Sequence, residues 1–200
     1  MESRRINHLT ADERRTLLKL ARDSIVAAAA GSSLPHADLE AYTPALRENG
    51  ACFVTLTAGE RLRGCTGILV AQGPLVQEVI RTAAQTALSD PRFAPVTPRE
   101  VPGLSIEISV LTPPQPLVFS QPEELPKLLR PGVDGVTLSR GLYRATFLPQ
   151  VWDRVPDPVQ FLDMLCEKMG LVAGMWRQPG MHVETYQVEE FSENELAEAR

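Results

Sequence analysis

The chain has 200 residues and a mass of 22.0 kDa, enough for one domain, or one domain with a small lobe, around the core that 44% apolar residues can supply. A net charge of −5 and a pI near 5.3 argue against nonspecific binding to duplex nucleic acid, which needs a basic face. No run approaches the ~18 apolar residues of a membrane span, and no apolar stretch follows Met1-Glu2-Ser3-Arg4-Arg5 as a signal peptide would require. Cys52, Cys65 and Cys166 cannot all pair within the chain, and they form no zinc-like cluster with His8, His36 and His182. Reduced thiols in a cytoplasm, with no cofactor and no metal, are the simplest expectation.

Residues 1–9 read as a frayed arm. Thr10 and Glu13 form a capping box, Leu17, Leu20, Ala21, Ser24, Ile25 and Ala28 follow at helical spacing, and Gly31 supplies the stop. Residues 32–50 read as a long connection broken by Pro35 and Pro44, with a helical turn at Ala45-Leu46-Arg47-Glu48. Ala51 to Thr57 and Leu62 to Val70 are two strands of a hairpin turning at Ala58-Gly59-Glu60-Arg61. If Ala58 and Gly59 are the central residues, Cys52 faces Cys65 and a redox-sensitive cross-strand pair follows; a bulge at Gly59 puts Cys52 opposite Gly64 instead.

The second strand carries Leu62-Arg63-Gly64-Cys65-Thr66-Gly67. Glycine weakens a strand, so two of them in four residues signal a close approach to the backbone. Arg63 offers a planar donor fork suited to carboxylate or phosphate, and an adjacent cation pushes the Cys65 thiol toward thiolate. Gly73-Pro74 opens the next helix, with Pro74 as first residue and an apolar stripe from Leu75 to Leu88. Its unpaired N–H groups are expected near the cysteine turn, where they would favour an anion. The helix should end before Pro91. Asp90 and Arg92 then form a second candidate site segment.

Thr97 to Glu100 make a capped turn. Leu104, Ile106, Ile108 and Val110 alternate with Ser105, Glu107 and Ser109 as a half-buried strand, which places Glu107 on the polar face as a solvated residue, a partner for Arg63 or Arg92, or a general base. Ser120 and Glu123 read as a capping box before a short helix holding Leu125, Leu128 and Leu129. Val133 to Ser139 and Leu142 to Leu148 form a hairpin around Arg140-Gly141. Asp157, with Gln160 three residues on, caps a helix whose buried side is Phe161, Leu162, Leu165, Cys166 and Met169, with Trp152 and Trp176 as anchors. Val183 to Phe191 reads as one closing strand, and an acidic tail, a solvated helix or disorder, occupies 192–200.

The cysteine turn, Asp90-Pro91-Arg92-Phe93, Glu107-Ile108-Ser109-Val110-Leu111-Thr112-Pro113-Pro114, Leu148-Pro149-Gln150-Val151, Phe161-Leu162 and Leu165-Cys166 together resemble the AMMECR domain family, also called AmmeMemoRadiSam system protein A, over roughly Leu17 to Phe191. The resemblance implies an α+β fold, a mostly antiparallel or mixed β-sheet flanked by α-helices, in a single domain over residues 10–191; residues 32–50 and 115–150 are candidates for a small inserted lobe. It brings no settled activity. It implies association with a Memo-like protein and a radical SAM protein in a shared modification pathway. It adds Arg144, near the family's basic position, and Gln150 to the candidates, and it finds Asp134 where the family often has histidine. Two functions follow. In the first, Cys65 is the nucleophile of an enzyme or enzyme subunit, and Arg63, Gly64, Gly67, Asp90, Arg92, Glu107, Arg144 and Gln150 bind a small or anionic substrate. In the second, the chain is a noncatalytic protein- or nucleotide-binding adaptor in which Cys65 is structural.

Overall fold

Thr10 closes the first helix as the sequence predicts: its hydroxyl accepts from the Glu13 N–H at 3.2 Å, and the Glu13 carboxylate accepts from the Thr10 N–H at 2.7 Å. In the computed structural model, which describes residues 9–198, this helix, α1, runs Ala11–Ala29, and Gly31 ends it with φ +68°. Of the arm expected over 1–9, only Leu9 lies within the described residues, and it is buried, its N–H held by Glu189. His8 lies outside them. The connection that follows holds a 3-10 turn, Leu39–Ala41, and a four-residue helix, α2, Pro44–Arg47.

The hairpin forms as β1, Ala51–Ala58, and β2, Arg61–Gly67. Helix α3 spans Leu75–Ser89, with Pro74 at its cap rather than as its first residue. Strand β3, Leu104–Leu111, pairs antiparallel with β1 over its whole length. The pleat sends Cys52, Val54 and Leu56 of β1 and Ile106 and Ile108 of β3 to one face, into a core they share with Leu17, Ile25, Val76, Val79 and Ala83 of α1 and α3. Each such fully buried aliphatic side chain contributes about 1.5–3 kcal/mol. The opposite face carries Phe53, Thr55, Thr57, Ser105, Glu107 and Ser109.

Two compact units result. One holds the described residues up to Pro113 together with those from Glu189 onward, and the other runs Pro114–Val188. The connection 32–50 falls in the first. In the second, β4, Gln115–Pro116, precedes a short helix, α4, Leu125–Leu128. The Ser120 N–H is taken by Glu124, at 2.9 Å, and not by Glu123: a 3-10 turn at Pro122–Glu124 winds the later carboxylate back over Ser120. The hairpin around Gly141 forms as β5, Gly135–Arg140, and β6, Tyr143–Phe147. Helix α5, Pro158–Lys168, is capped by Asp157, which accepts from Gln160 N–H at 2.8 Å. Trp152 stacks on Phe161 with centroids 3.6 Å apart, and Trp176 donates its indole N–H to Asp163 at 2.7 Å.

The expected closing strand is two strands. β7, His182–Tyr186, pairs with β5 and β4, whereas β8, Val188–Ser192, joins the first unit's sheet beside β3. No single period of two runs through the segment, since Val183 and Tyr186 are both buried three residues apart. The sheet orders are β2-β1-β3-β8 and β4-β7-β5-β6. Within the described residues the tail takes the helical alternative, as α6, Glu193–Glu198, but Glu193 is held by protein: it takes the Ile106 N–H at 3.1 Å and the Arg22 guanidinium. Among the described residues, no helix is long and apolar enough to cross a membrane.

Candidate functional site

The turn between β1 and β2 is Gly59-Glu60, since Ala58 pairs with Arg61 and Gly59 has φ +59°. The register then shifts between Leu56 and Thr57, leaving Arg63 unpaired as a bulge residue. Neither expected register occurs. Cys65 lies opposite Thr55, and Cys52 opposite Val110 of β3. The two cysteines point to opposite faces: Cys52 into the core, 3.8 Å from the Thr82 hydroxyl, and Cys65 beside the Thr55 hydroxyl at 3.4 Å. All three cysteines are free thiols, so the cross-strand pair is excluded. Burial pushes the Cys52 thiol up to about 12, against a smaller opposing effect of its hydrogen bond with Thr82.

The close approach signalled by the glycines comes from the protein itself. A Cβ on Gly64 would stand 3.0 Å from the Thr86 carbonyl oxygen of α3, and one on Gly67 would stand 2.3 Å from the ring of Phe53. On the side where a Cβ would stand, both glycines are packed against protein atoms. The helix expectation also changes. The α3 N-terminus is tied to the α2–β1 connection, where Leu75 N–H donates to Glu48 O at 2.9 Å. It is the C-terminal end of α3, through Thr86 and then Asp90, that lies against the cysteine turn.

The two arginines already have carboxylate partners. Arg63 Nε donates to Glu100 Oε1 at 3.0 Å, and Arg92 donates through Nε and a terminal nitrogen to Asp90 at 3.0 and 2.7 Å. Both guanidinium groups lie over the Phe93 ring, at 5.9 and 5.5 Å from its centroid. The Arg92 hydrogen bond, helped by the Cys65 and Arg92 N–H groups, holds the buried Asp90 well below the usual carboxylate range. The Thr97 N–H and then Arg63 pull Glu100 down to about 2. Glu107 therefore partners neither arginine.

Glu107 lies opposite Thr55 on the other side of β1. Cys65, Thr55 and Glu107 thus form one row across β2, β1 and β3, on the face that α1 and α3 do not cover. The row continues to Glu190 of β8, which shares a hydrogen bond with Glu107. Burial first, then the charges of Glu190 and Glu195 and that hydrogen bond, push the Glu107 carboxyl up to about 7. A half-buried acid of that strength can give or take a proton near neutrality. The adjacent strands put about 10 Å of backbone between Cys65 and Glu107.

The remaining candidates lie in the second unit. Arg144 of β6 is exposed and paired with Glu184 at 3.1 Å; Gln150 is exposed in a 3-10 turn, Pro149–Asp153. His182 begins β7 opposite Ser139, and His36 is exposed in the first unit. Among the described residues, no group of three or more His, Cys, Asp or Glu side chains could hold a metal ion.

A family model described as AMMECR1 matches residues 18–191. The chain belongs to the AMMECR1 family. It is 38% identical over 192 residues to a protein of Methanothermobacter thermautotrophicus, covering 93% of this chain and 97% of that one. It is 36% identical over 201 residues to one of Thermofilum pendens, covering 94% and 93%. The crystal structure of the uncharacterized protein PH0010 from Pyrococcus horikoshii matches this AMMECR1 chain with a TM-score of 0.79 at 35% identity, over 88% of this chain and 89% of that one, in keeping with the α+β fold. Sequence reasoning missed Phe53, Thr55, Thr86 and Glu100 around the AMMECR1 cysteine turn, and Glu190 beside Glu107. The first two become visible only once the strand register is known, and the others only once distant segments are brought together.

Proposed function

We propose that this AMMECR1 chain is a cysteine-dependent enzyme, or the substrate-binding subunit of one, acting on a small molecule laid across the Cys65–Thr55–Glu107 row. The observation that carries this reading is the alignment of a partly accessible thiol and a carboxyl raised to about 7 on either side of one threonine. The Cys65 thiolate, its proton lost to solvent, adds to an electrophilic double bond of the substrate; the π electron pair moves to the substrate's far end, and Glu107 gives that end its proton. Arg63 is bonded to protein through Nε, to Glu100. Its terminal nitrogens and one of Arg92's are the donors for negative charge on the substrate. Family membership supports a place beside a Memo-like protein and a radical SAM protein in one modification pathway.

A second reading has its own support. Both arginines are neutralised by carboxylates and both glycines are filled by protein atoms, as expected of an adaptor in which the turn is structural. Alkylation of the native chain with iodoacetamide between pH 6 and 10, together with native mass spectrometry of the freshly purified chain and of Cys65→Ser, separates the two. The enzyme reading expects Cys65 to react with a profile that Glu107→Gln alters, and a small retained mass that Cys65→Ser loses. A thiol inert at every pH, with no retained mass, overturns it.

A further inference from the structure

β2 is an edge strand. In an antiparallel ladder, alternate residues turn their N–H and C=O toward the partner and away from it. Ile68 N–H donates to Cys52 O at 3.0 Å, so the pairs two and four residues along, Val54–Thr66 and Leu56–Gly64, also face inward across the hairpin. Cys65, paired with Thr55 between them, turns both main-chain groups off the edge of the sheet. Such groups ordinarily meet water or a foreign strand. Here the Cys65 N–H donates to Asp90 Oδ2 at 2.9 Å, and the Cys65 carbonyl accepts from an Arg92 terminal nitrogen at 3.1 Å. Asp90 Oδ1 in turn accepts from the Arg92 N–H at 3.1 Å, and the Asp90 side chain is only 2% exposed.

We propose that Asp90 and Arg92 are positioning residues: the pair stands in for a neighbouring strand at Cys65 alone, and so fixes the peptide that aims the thiol at Thr55 and the substrate. This rests on the reading of Cys65 as a reactive thiol. The two residues sit just past the end of α3, whose packing on Gly64 through Thr86 sets their distance from the strand. One chemical consequence follows. Many nucleophiles use their own N–H to stabilise a developing oxyanion. At Cys65 that N–H is already given to a buried carboxylate, so negative charge on a bound substrate must be met by the side chains of Arg63 and Arg92.

The test uses the full chain and two readouts, hydrogen exchange at the Cys65 amide and the iodoacetamide profile of Cys65 against pH. Asp90→Ala should speed exchange at Cys65 about tenfold or more, the loss of one charge-assisted bond. It should also change the limiting alkylation rate of Cys65 about fivefold or more, with Cys52 and Cys166 still protected. Asp90→Asn, which keeps an acceptor oxygen, should recover most of both. Exchange and alkylation within about twofold of wild type in Asp90→Ala overturn the proposal. Should Asp90→Ala not fold, Arg92→Ala removes the exposed guanidinium that meets both the Cys65 carbonyl and Asp90 and leaves Asp90 in place at the Cys65 N–H, and the same limits on Cys65 alkylation decide. A wild-type Cys65 that resists alkylation at every pH overturns the catalytic reading itself, a result distinct from an unaltered variant.

Discussion

The ring of Phe53 lies over Gly67 on the neighbouring strand, where a Cβ would stand 2.3 Å from the ring and 2.5 Å from the Cys52 carbonyl oxygen. Gly67→Ala should therefore destabilise the chain by about 3 kcal/mol, the upper range for overpacking. Phe53→Ala in the same chain should not restore it, because the Cys52 carbonyl belongs to the backbone and cannot rotate away. Urea unfolding of the two single variants and the double variant measures this. Gly64→Ala meets contacts of 3.0 and 3.1 Å at Thr86 and should cost less, about 1 kcal/mol. A neutral Gly67→Ala would show that the space at that position is free for something other than Phe53.

Thiol counting follows from the opposite orientations of Cys52 and Cys65. In the native chain one thiol, Cys65, should react with iodoacetamide near pH 8, while Cys52 and Cys166 are withheld by burial, which raises the pKa of both. In denaturant all three should react, before and after mild oxidation. Fewer than three after oxidation, at protein concentrations too low for cross-linking between chains, would mean that the hairpin register differs from Thr55 opposite Cys65.

Stability should peak near pH 5. Glu107 keeps its proton in the folded chain up to about pH 7, while in the unfolded chain it loses it near the ordinary 4.5. Folding therefore loses stability as pH rises between those values. The ceiling on that loss is about 3 kcal/mol, which solvent screening at a half-exposed group reduces to about 1 kcal/mol. Asp90 and Glu100 act in the opposite sense. Arg92 holds the first below its ordinary value, and the Thr97 N–H with Arg63 hold the second near 2, so the stability they add is lost as pH falls below about 4. Urea titrations from pH 3 to 9 should show both limbs. Glu107→Gln should flatten the upper limb and leave the lower one in place.

The strand alternation Leu104–Val110, the caps at Thr10 and Asp157 and the Trp anchors were legible because each depends on residues a few positions apart. The hairpin register was not, because it turns on two placements: the turn falls at Gly59-Glu60 rather than Ala58-Gly59, and one extra residue, Arg63, is accommodated three residues past it. Together they move Cys65 from Cys52 to Thr55, and the bulge alone decides which face it takes. The same limit hid Glu100 and Glu190: an ion pair or a shared proton between distant segments leaves no periodicity to read. The division of Val183–Phe191 between two sheets was hidden for a related reason, since strand propensity does not say which neighbour a strand will choose.

The surroundings of Asp134 say why a simple exchange for histidine should fail. The side chain is buried and accepts from the Arg130 N–H at 2.9 Å and from the Arg130 guanidinium at 2.6 Å, while its own carbonyl accepts the Trp152 indole N–H at 2.7 Å. A neutral imidazole has one acceptor nitrogen, so Asp134→His leaves a donor unmet beside an unpaired guanidinium. It should cost about 3 kcal/mol. Asp134→Asn keeps one acceptor oxygen and should cost about half as much. Arg130→Ala should recover part of the loss in the Asp134→His background, since it removes the cation left without a partner. Thermal and urea unfolding followed by the Trp152 and Trp176 fluorescence would resolve these differences. A fully stable Asp134→His chain would mean that Arg130 finds another acceptor, and that the aspartate is not what holds this turn.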